Sequence, residues 1–222
     1  MAFNFDVRSS DSPFVEWVWR THSDYAGSFI STAESHWEMV VMTYQGETTI
    51  AIRGPETVAT TADFPAEAEF FGIVFKHGTF MPHLPAVHLL DRNDEVLPTA
   101  TGCRFWLQGA TWQIPNFENA DTFVARLIHQ ELVVREPVVE AVLGNRPLEI
   151  SPRTVQRRFL RATGLTHGTF AQIERAQQAV NLLERGLSIA DAVYQAGYAD
   201  QPHLTRSLRR FMGQTPAQIL RK

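Results

Sequence analysis

Cysteine is nearly absent from this chain. Its 222 residues include one, Cys103, so neither an internal disulfide nor a cysteine-based metal cluster can form. That fits a reducing compartment, and the residue itself is expected to be a small core hydrophobe. Long apolar runs are missing as well. None approaches the ~18 residues of a membrane span, and the opening MAFNFDVRSS has no basic segment followed by an apolar one. The expectation is a soluble, cytoplasmic protein with no membrane partner. Catalytic signatures are also lacking: there is no Gly-x-Ser-x-Gly elbow, no phosphate loop and no pair of carboxylates at helical spacing in an apolar setting. His36, His77, His83 and His88 are scattered over loops and strand ends, without the spacing of a His-x-His, Glu, His metal set. No catalytic residue, metal or cofactor is therefore expected, and an enzyme with an accessory helical part is the competing class.

Charge is present but divided. From Ser151 onward there are 11 basic and 4 acidic residues, a balance of +7, whereas residues 1–150 carry 9 against 20, or −11; together they give −4. A basic C-terminal third can neutralise phosphates, and an acidic N-terminal part would be repelled by them.

The first 77 residues read as strands. FVEWVWR, GSFIST, HWEMVVMTY, ETTIAIR, ETVATT and EFFGIVFK are rich in β-branched and aromatic residues and are separated by Gly, Pro, Asp and Gln-Gly punctuation. In the third, Trp37, Met39, Val41 and Thr43 share a face, and Gln45-Gly46 suits a turn before the fourth. Residues 77–119 are proline-bearing and aperiodic. There the aromatics Trp106 and Trp112, with Trp37 upstream, are either core or the wall of a pocket for a small apolar effector. A helix begins near Asn119, where Phe123, Val124, Leu127, Ile128 and Leu132 form a broad stripe suited to the β part, a partner subunit or both. Pro137 then opens a short helix, PVVEAVL, that Gly144 ends.

Residues 188–220 are the most informative stretch. Ser188 with Asp191 makes a capping box, and Ile189, Ala192, Val193 and Ala196 form an apolar stripe. Gly197 allows a sharp reversal, and Asp200 caps a second helix. There Leu204, Leu208 and Phe211 face inward, leaving Gln201, His203, Thr205, Arg206, Arg209 and Arg210 mostly outward. Arg and Gln make paired hydrogen bonds to guanine and adenine edges in the major groove, and a helix-turn-helix offers its second helix in this way. Upstream, Ser151 caps another helix: Pro152 takes its first position, Val155 and Phe159 face in, Gly164 closes it, and Arg153, Gln156 and Arg157 share the outer face. A helix over 169–185, about 25 Å long at ~1.5 Å per residue, joins the two units.

The string GYADQPHLTRSLRRFMGQTP resembles the signature of the AraC/XylS family of bacterial transcription regulators, and SPRTVQRRFLRATGLT resembles that family's first recognition helix. About a third of the chain is covered. The resemblance implies an α+β protein, with an N-terminal β-rich, cupin-like barrel or sandwich over 1–118, a connecting helix over 119–136, and an all-α double helix-turn-helix DNA-binding domain over 137–222. It also implies base contacts from Arg153, Gln156, Arg157, Gln201, His203 and Arg206. Thr154, Arg158, Thr205 and Arg209 are better placed for phosphates. The partners expected are a double-stranded DNA operator, a small-molecule effector on the β domain, a second copy of the chain and, for an activator, RNA polymerase. A regulator whose β domain only dimerises is the other reading. One departure stands out: GNRPLEI places seven residues between Leu143 and Ser151, where the family usually has a turn of about four. DNA-repair alkyl acceptors that share the module need several cysteines for zinc, and one cysteine rules them out.

Overall fold

The computed structural model describes residues 4–92 and 94–221. A β-rich part holds β1 (Asp6–Arg8), β2 (Val15–Ser23), β3 (Gly27–Ser31), β4 (Glu38–Tyr44), β5 (Glu47–Arg53), β6 (Thr60–Phe64), β7 (Ala68–Phe75), β8 (Thr79–Phe80), β9 (Glu95–Leu97), β10 (Thr99–Ala100), β11 (Arg104–Leu107) and β12 (Ala110–Gln113). Then come α1 (Ala120–His129), β13 (Val134–Arg135), α2 (Pro137–Leu143), α3 (Pro152–Thr163), α4 (His167–Glu184), α5 (Ile189–Gln195), α6 (Gln201–Met212) and α7 (Pro216–Ile219). Among the described residues no helix is long and apolar enough to cross a membrane.

The main sheet is antiparallel, in the order β1-β2-β7-β4-β5-β9. β4 and β5 meet at Gln45-Gly46, both at positive φ (52° and 81°), which gives the two-residue hairpin turn that a twisted ribbon favours. Alternation then divides the faces. Met39, Val41, Ile50, Ile52, Phe71 and Ile73 enter one core with Phe105 and Leu107 of β11, Trp112 of β12, and Phe123, Val124 and Leu127 of α1. The apolar stripe of α1 is thus spent on the β core. β6 begins at Thr60, four residues after the start of ETVATT, because Glu56 instead pairs its backbone with Glu34. β3 and β6 form a separate two-stranded sheet.

Cys103 departs from expectation. It is exposed, at φ 53° in the turn between β10 and β11.

The helices build a second core around Phe159, Phe170, Ile173, Leu183, Leu204, Leu208 and Phe211. Ala33 and Phe80 of the β part join it, and β13 pairs with β8 through Val134 opposite Phe80. The helical layer is therefore packed on the β part rather than hung from it.

Candidate nucleic-acid interface

α3 starts where its sequence says it should. Ser151 Oγ accepts the Thr154 N–H at 3.3 Å, Pro152 occupies the first turn, and Gly164 closes the helix at φ 74°. Phe159 is buried, whereas Arg153, Gln156 and Arg157 are exposed on the opposite side. The long connector, residues 144–150, loops out while α2 still packs against α3. Of the residues assigned to phosphates, Thr154 is half-buried beside the cap. Arg158 is turned back, and its Nε and Nη2 donate to the Glu136 carboxylate at 3.0 and 2.6 Å. That hydrogen-bonded carboxylate raises the guanidinium pKa further.

α5 and α6 repeat the plan. Ser188 Oγ accepts the Asp191 N–H at 3.1 Å, and Asp200 accepts the His203 N–H at 2.6 Å. The buried Tyr198 fills the angle between the helices, with its hydroxyl 2.8 Å from Ser207 Oγ. Leu204, Leu208 and Phe211 are buried, so Gln201, His203, Arg206 and Arg209 stay exposed and Thr205 half-buried. The N-terminal part of each helix, where a helix entering the major groove meets base edges, thus carries Arg153 and Gln156 in α3 and Gln201 and His203 in α6.

The sequence reading treated α4 as a connector only. In the structure its Gln172 and Arg175 line a cleft of about 300 Å³ with His203, Arg206, Ser207 and Arg210 of α6. Arg175 lies 5.8 Å from the Tyr198 ring centre. The signal was available: Gln172 and Arg175 are three apart, on the side of α4 opposite Ile173.

A helix-turn-helix domain family matches residues 146–222. The transcriptional regulator VirS of Mycobacterium tuberculosis is 43% identical over 72 residues, covering 32% of this chain and 21% of VirS. RipA of Corynebacterium diphtheriae, also a transcriptional regulator, is 33% identical over 100 residues, covering 43% of this chain and 29% of RipA. The C-terminal part is an AraC-type helix-turn-helix domain. The matched stretch spans about a fifth of VirS, so the likeness concerns this domain and not those proteins as wholes. Among solved structures, ToxT of Vibrio cholerae bound to (E)-4-(8-methylnaphthalen-1-yl)but-3-enoic acid aligns over 97% of this chain and 98% of ToxT, at TM-score 0.42 and 10% identity.

The helix-turn-helix domain meets the β part at the C-terminal ends of both α3 and α6. At α6, the carbonyls of Arg210 and Phe211 accept the N–H groups of Ala59 and Ala33 at 2.8 and 2.6 Å. Those carbonyls end the helix and have no partner within it, so the β part caps α6. Gly213, at φ 66°, lies under Ile30: a Cβ there would sit 2.8 Å from Ile30 Cγ2. At α3, a Cβ on Gly164 would sit 2.9 Å from the Ala86 carbonyl carbon. Arg161 lies over the Phe80 ring at 5.5 Å. Between the two docks, Ser35 Oγ donates to Glu174 of α4 and lies 2.9 Å from His77 Nε2, and Gln177 donates to the Ala33 carbonyl at 3.2 Å. Burial there, with the neighbouring His36, lowers the His77 pKa to about 3.

The three tryptophans suggested as a pocket wall do not converge. Trp37 is core, stacked on Phe75 at 3.9 Å with its N–H donated to the Thr79 carbonyl. Trp112 is buried among Phe105 and Phe123, and Trp106 is 47% exposed. None of them lines the two adjoining cavities of about 450 and 360 Å³ between the main sheet and the β3–β6 pair. Trp19 lines both and Trp17 the smaller. Period-two alternation in VEWVWR, which puts Trp17 and Trp19 together opposite Val18, could have pointed to them.

Proposed function

We propose that the chain is a sequence-specific DNA-binding transcription regulator whose helix-turn-helix domain is controlled by a small molecule held in the β domain. The observation that carries this reading is the pair of recognition helices, each capped at its exposed Arg- and Gln-bearing start and docked on the β domain at its end. Arg153, Gln156 and Arg157 of α3 and Gln201, His203 and Arg206 of α6 read base edges; Thr154, Thr205 and Arg209 contact phosphates. Arg158 reaches a phosphate only by leaving Glu136. Gln172 and Arg175 extend the cationic face from α4. At 18 residues α4 is about 27 Å long, which suits two helices entering successive major grooves roughly 34 Å apart on one side of the duplex.

The control reading rests on shared segments. Ile30, Ser31, Thr32, Glu34 and Glu56 line the smaller cavity, and Ala33 and Ala59, close to them in the chain, hold α6, so an occupant that shifts these segments changes how α6 is presented. The partners are then operator DNA, the effector, a second copy of the chain and, for an activator, RNA polymerase, all in the cytoplasm. No turnover of a substrate is assigned to it. The test is DNA binding by the full chain across salt concentrations on random and selected duplexes. A steep fall of log K with log salt on both, with a selected sequence bound at least about a thousandfold tighter than random DNA, is expected. Equal affinity for all sequences would overturn the reading.

A further inference from the structure

The two adjoining cavities share a wall of Phe5, Trp19, Phe29, Arg53 and Glu56. Phe5 and Trp19 meet edge to face, their centres 5.5 Å apart. Trp19 lies flat over Gly72 of the neighbouring strand, a position that a side chain on Gly72 would occupy. The rings therefore surround a space of ligand size on an otherwise closed sheet face.

At its floor stands Glu38. Trp19 Nε1 donates to Glu38 Oε2 at 2.9 Å, while Oε1 has Arg53 Nη1 at 3.8 Å, beyond hydrogen-bond reach. The 23% of the Glu38 side chain that remains exposed opens onto the cavity it lines. Burial pushes its carboxyl up to about 6; the charged groups facing it are Arg53, Glu34 and Asp94. At neutral pH this is an ionised carboxylate in a partly dry setting with one oxygen short of a donor, a costly arrangement unless a cation arrives. Arg53 fills that role only in part, by charge across 3.8 Å, since its Nε is drawn to Asp94 at 3.3 Å. Glu34 also lines the smaller cavity but is held by His36 Nδ1 at 2.6 Å, which leaves Glu38 as the carboxylate that meets the Trp19 ring there. Aromatic faces beside a carboxylate attract an ammonium through both ring quadrupole and charge, and they disfavour an anion of the same shape.

We propose that this cavity is the effector site and that its ligand is an organic cation, an ammonium or amidinium group on an apolar body. The proposal rests on reading the β domain as a sensor. The cationic head sits between Glu38 and the Trp19 ring, and the apolar body lies along Phe5 and Phe29.

The test is calorimetric titration of the full chain with three probes of similar body and different charge: phenethylammonium, 2-phenylethanol and phenylacetate. Phenethylammonium should bind at least about tenfold tighter than 2-phenylethanol, with phenylacetate weakest. Glu38→Gln, which keeps an acceptor for the Trp19 N–H, should abolish the preference for the cation. Phe29→Ala, at a position 42% exposed, should weaken the cation several-fold while the fold persists by circular dichroism. Phenylacetate or 2-phenylethanol binding as tightly as the cation would overturn the proposal, and so would no binding of any probe at millimolar concentration. Operator binding is read in parallel. Tight phenethylammonium binding that leaves it unchanged would support the ligand class and count against the sensor reading instead.

Discussion

The two helix-turn-helix units are built alike and anchored differently. Each second helix begins at a side-chain cap followed by proline in its first turn, and each ends at a left-handed glycine pressed on the β domain. The first unit meets backbone: Gly164 lies on the rigid Ala86 carbonyl, and α3 is further tied at Glu136 by Arg158. The second meets an aliphatic side chain, Ile30, and two backbone hydrogen bonds from segments that line the cavities. A displacement of the β part is therefore expected to pass to α6 more readily than to α3.

The largest effects should come from the shared core, where the comparison predicts no difference. Phe159→Ala in α3 and Phe211→Ala in α6 should each cost about 3–5 kcal/mol by denaturant titration. If one is far milder than the other, the two units do not share one core. Next come the docks, where the units should diverge. Both Gly164→Ala and Gly213→Ala force a side chain into positive φ, but Gly164→Ala also meets immobile backbone. The expected losses are about 2–3 kcal/mol for Gly164→Ala and about 1–2 for Gly213→Ala, with Gly197→Ala, at φ 70° and with open space around it, as the control for strain alone. Equal losses at all three would mean that neither dock contributes.

Acid should weaken the layer between the docks. His77 is held neutral well below its ordinary pKa, so it binds fewer protons folded than unfolded; the stability it contributes is complete above pH 6.5 and is lost as pH falls from there toward 3. The slope is about 1.4 kcal/mol per pH unit below 6.5, and His77→Gln should flatten it in stability measured between pH 7 and 5. An unchanged slope would assign the acid sensitivity to another group, such as Glu34, whose charge acts on His77. Smaller still is Arg158→Ala, which leaves the 11% exposed Glu136 side chain without its guanidinium and should lower the melting temperature slightly without changing base preference.

Much of this was legible in the sequence, for identifiable reasons. Caps, apolar spacing and terminal glycines are local, so α3, α5 and α6 could be read from Ser151, Ser188, Asp200, Gly164 and Gly197. Alternation revealed the main strands, although β6 was placed too early because Glu56 pairs across to Glu34. The docks were not legible: the N–H of Ala33 reaching the carbonyl of Phe211 is a backbone contact between residues far apart in the chain, and no side chain encodes it. The cavity was missed for a related reason. Its wall depends on which face of β2 the β3–β6 pair covers, and the aromatics of residues 77–119 drew the expectation elsewhere.

If α3 and α6 both read bases, each should set the preference at its own base pair. The measurement is the affinity of the full chain, of Arg153→Ala and of Arg206→Ala on an operator and on every single-base variant of it. Each substitution should cost about 1–3 kcal/mol on the operator and relax the preference at one base pair, the two positions lying about one helical turn apart. If Arg153→Ala weakens every sequence equally while Arg206→Ala alters base preference, α3 contacts phosphates only, and the claim of two base-reading helices is wrong.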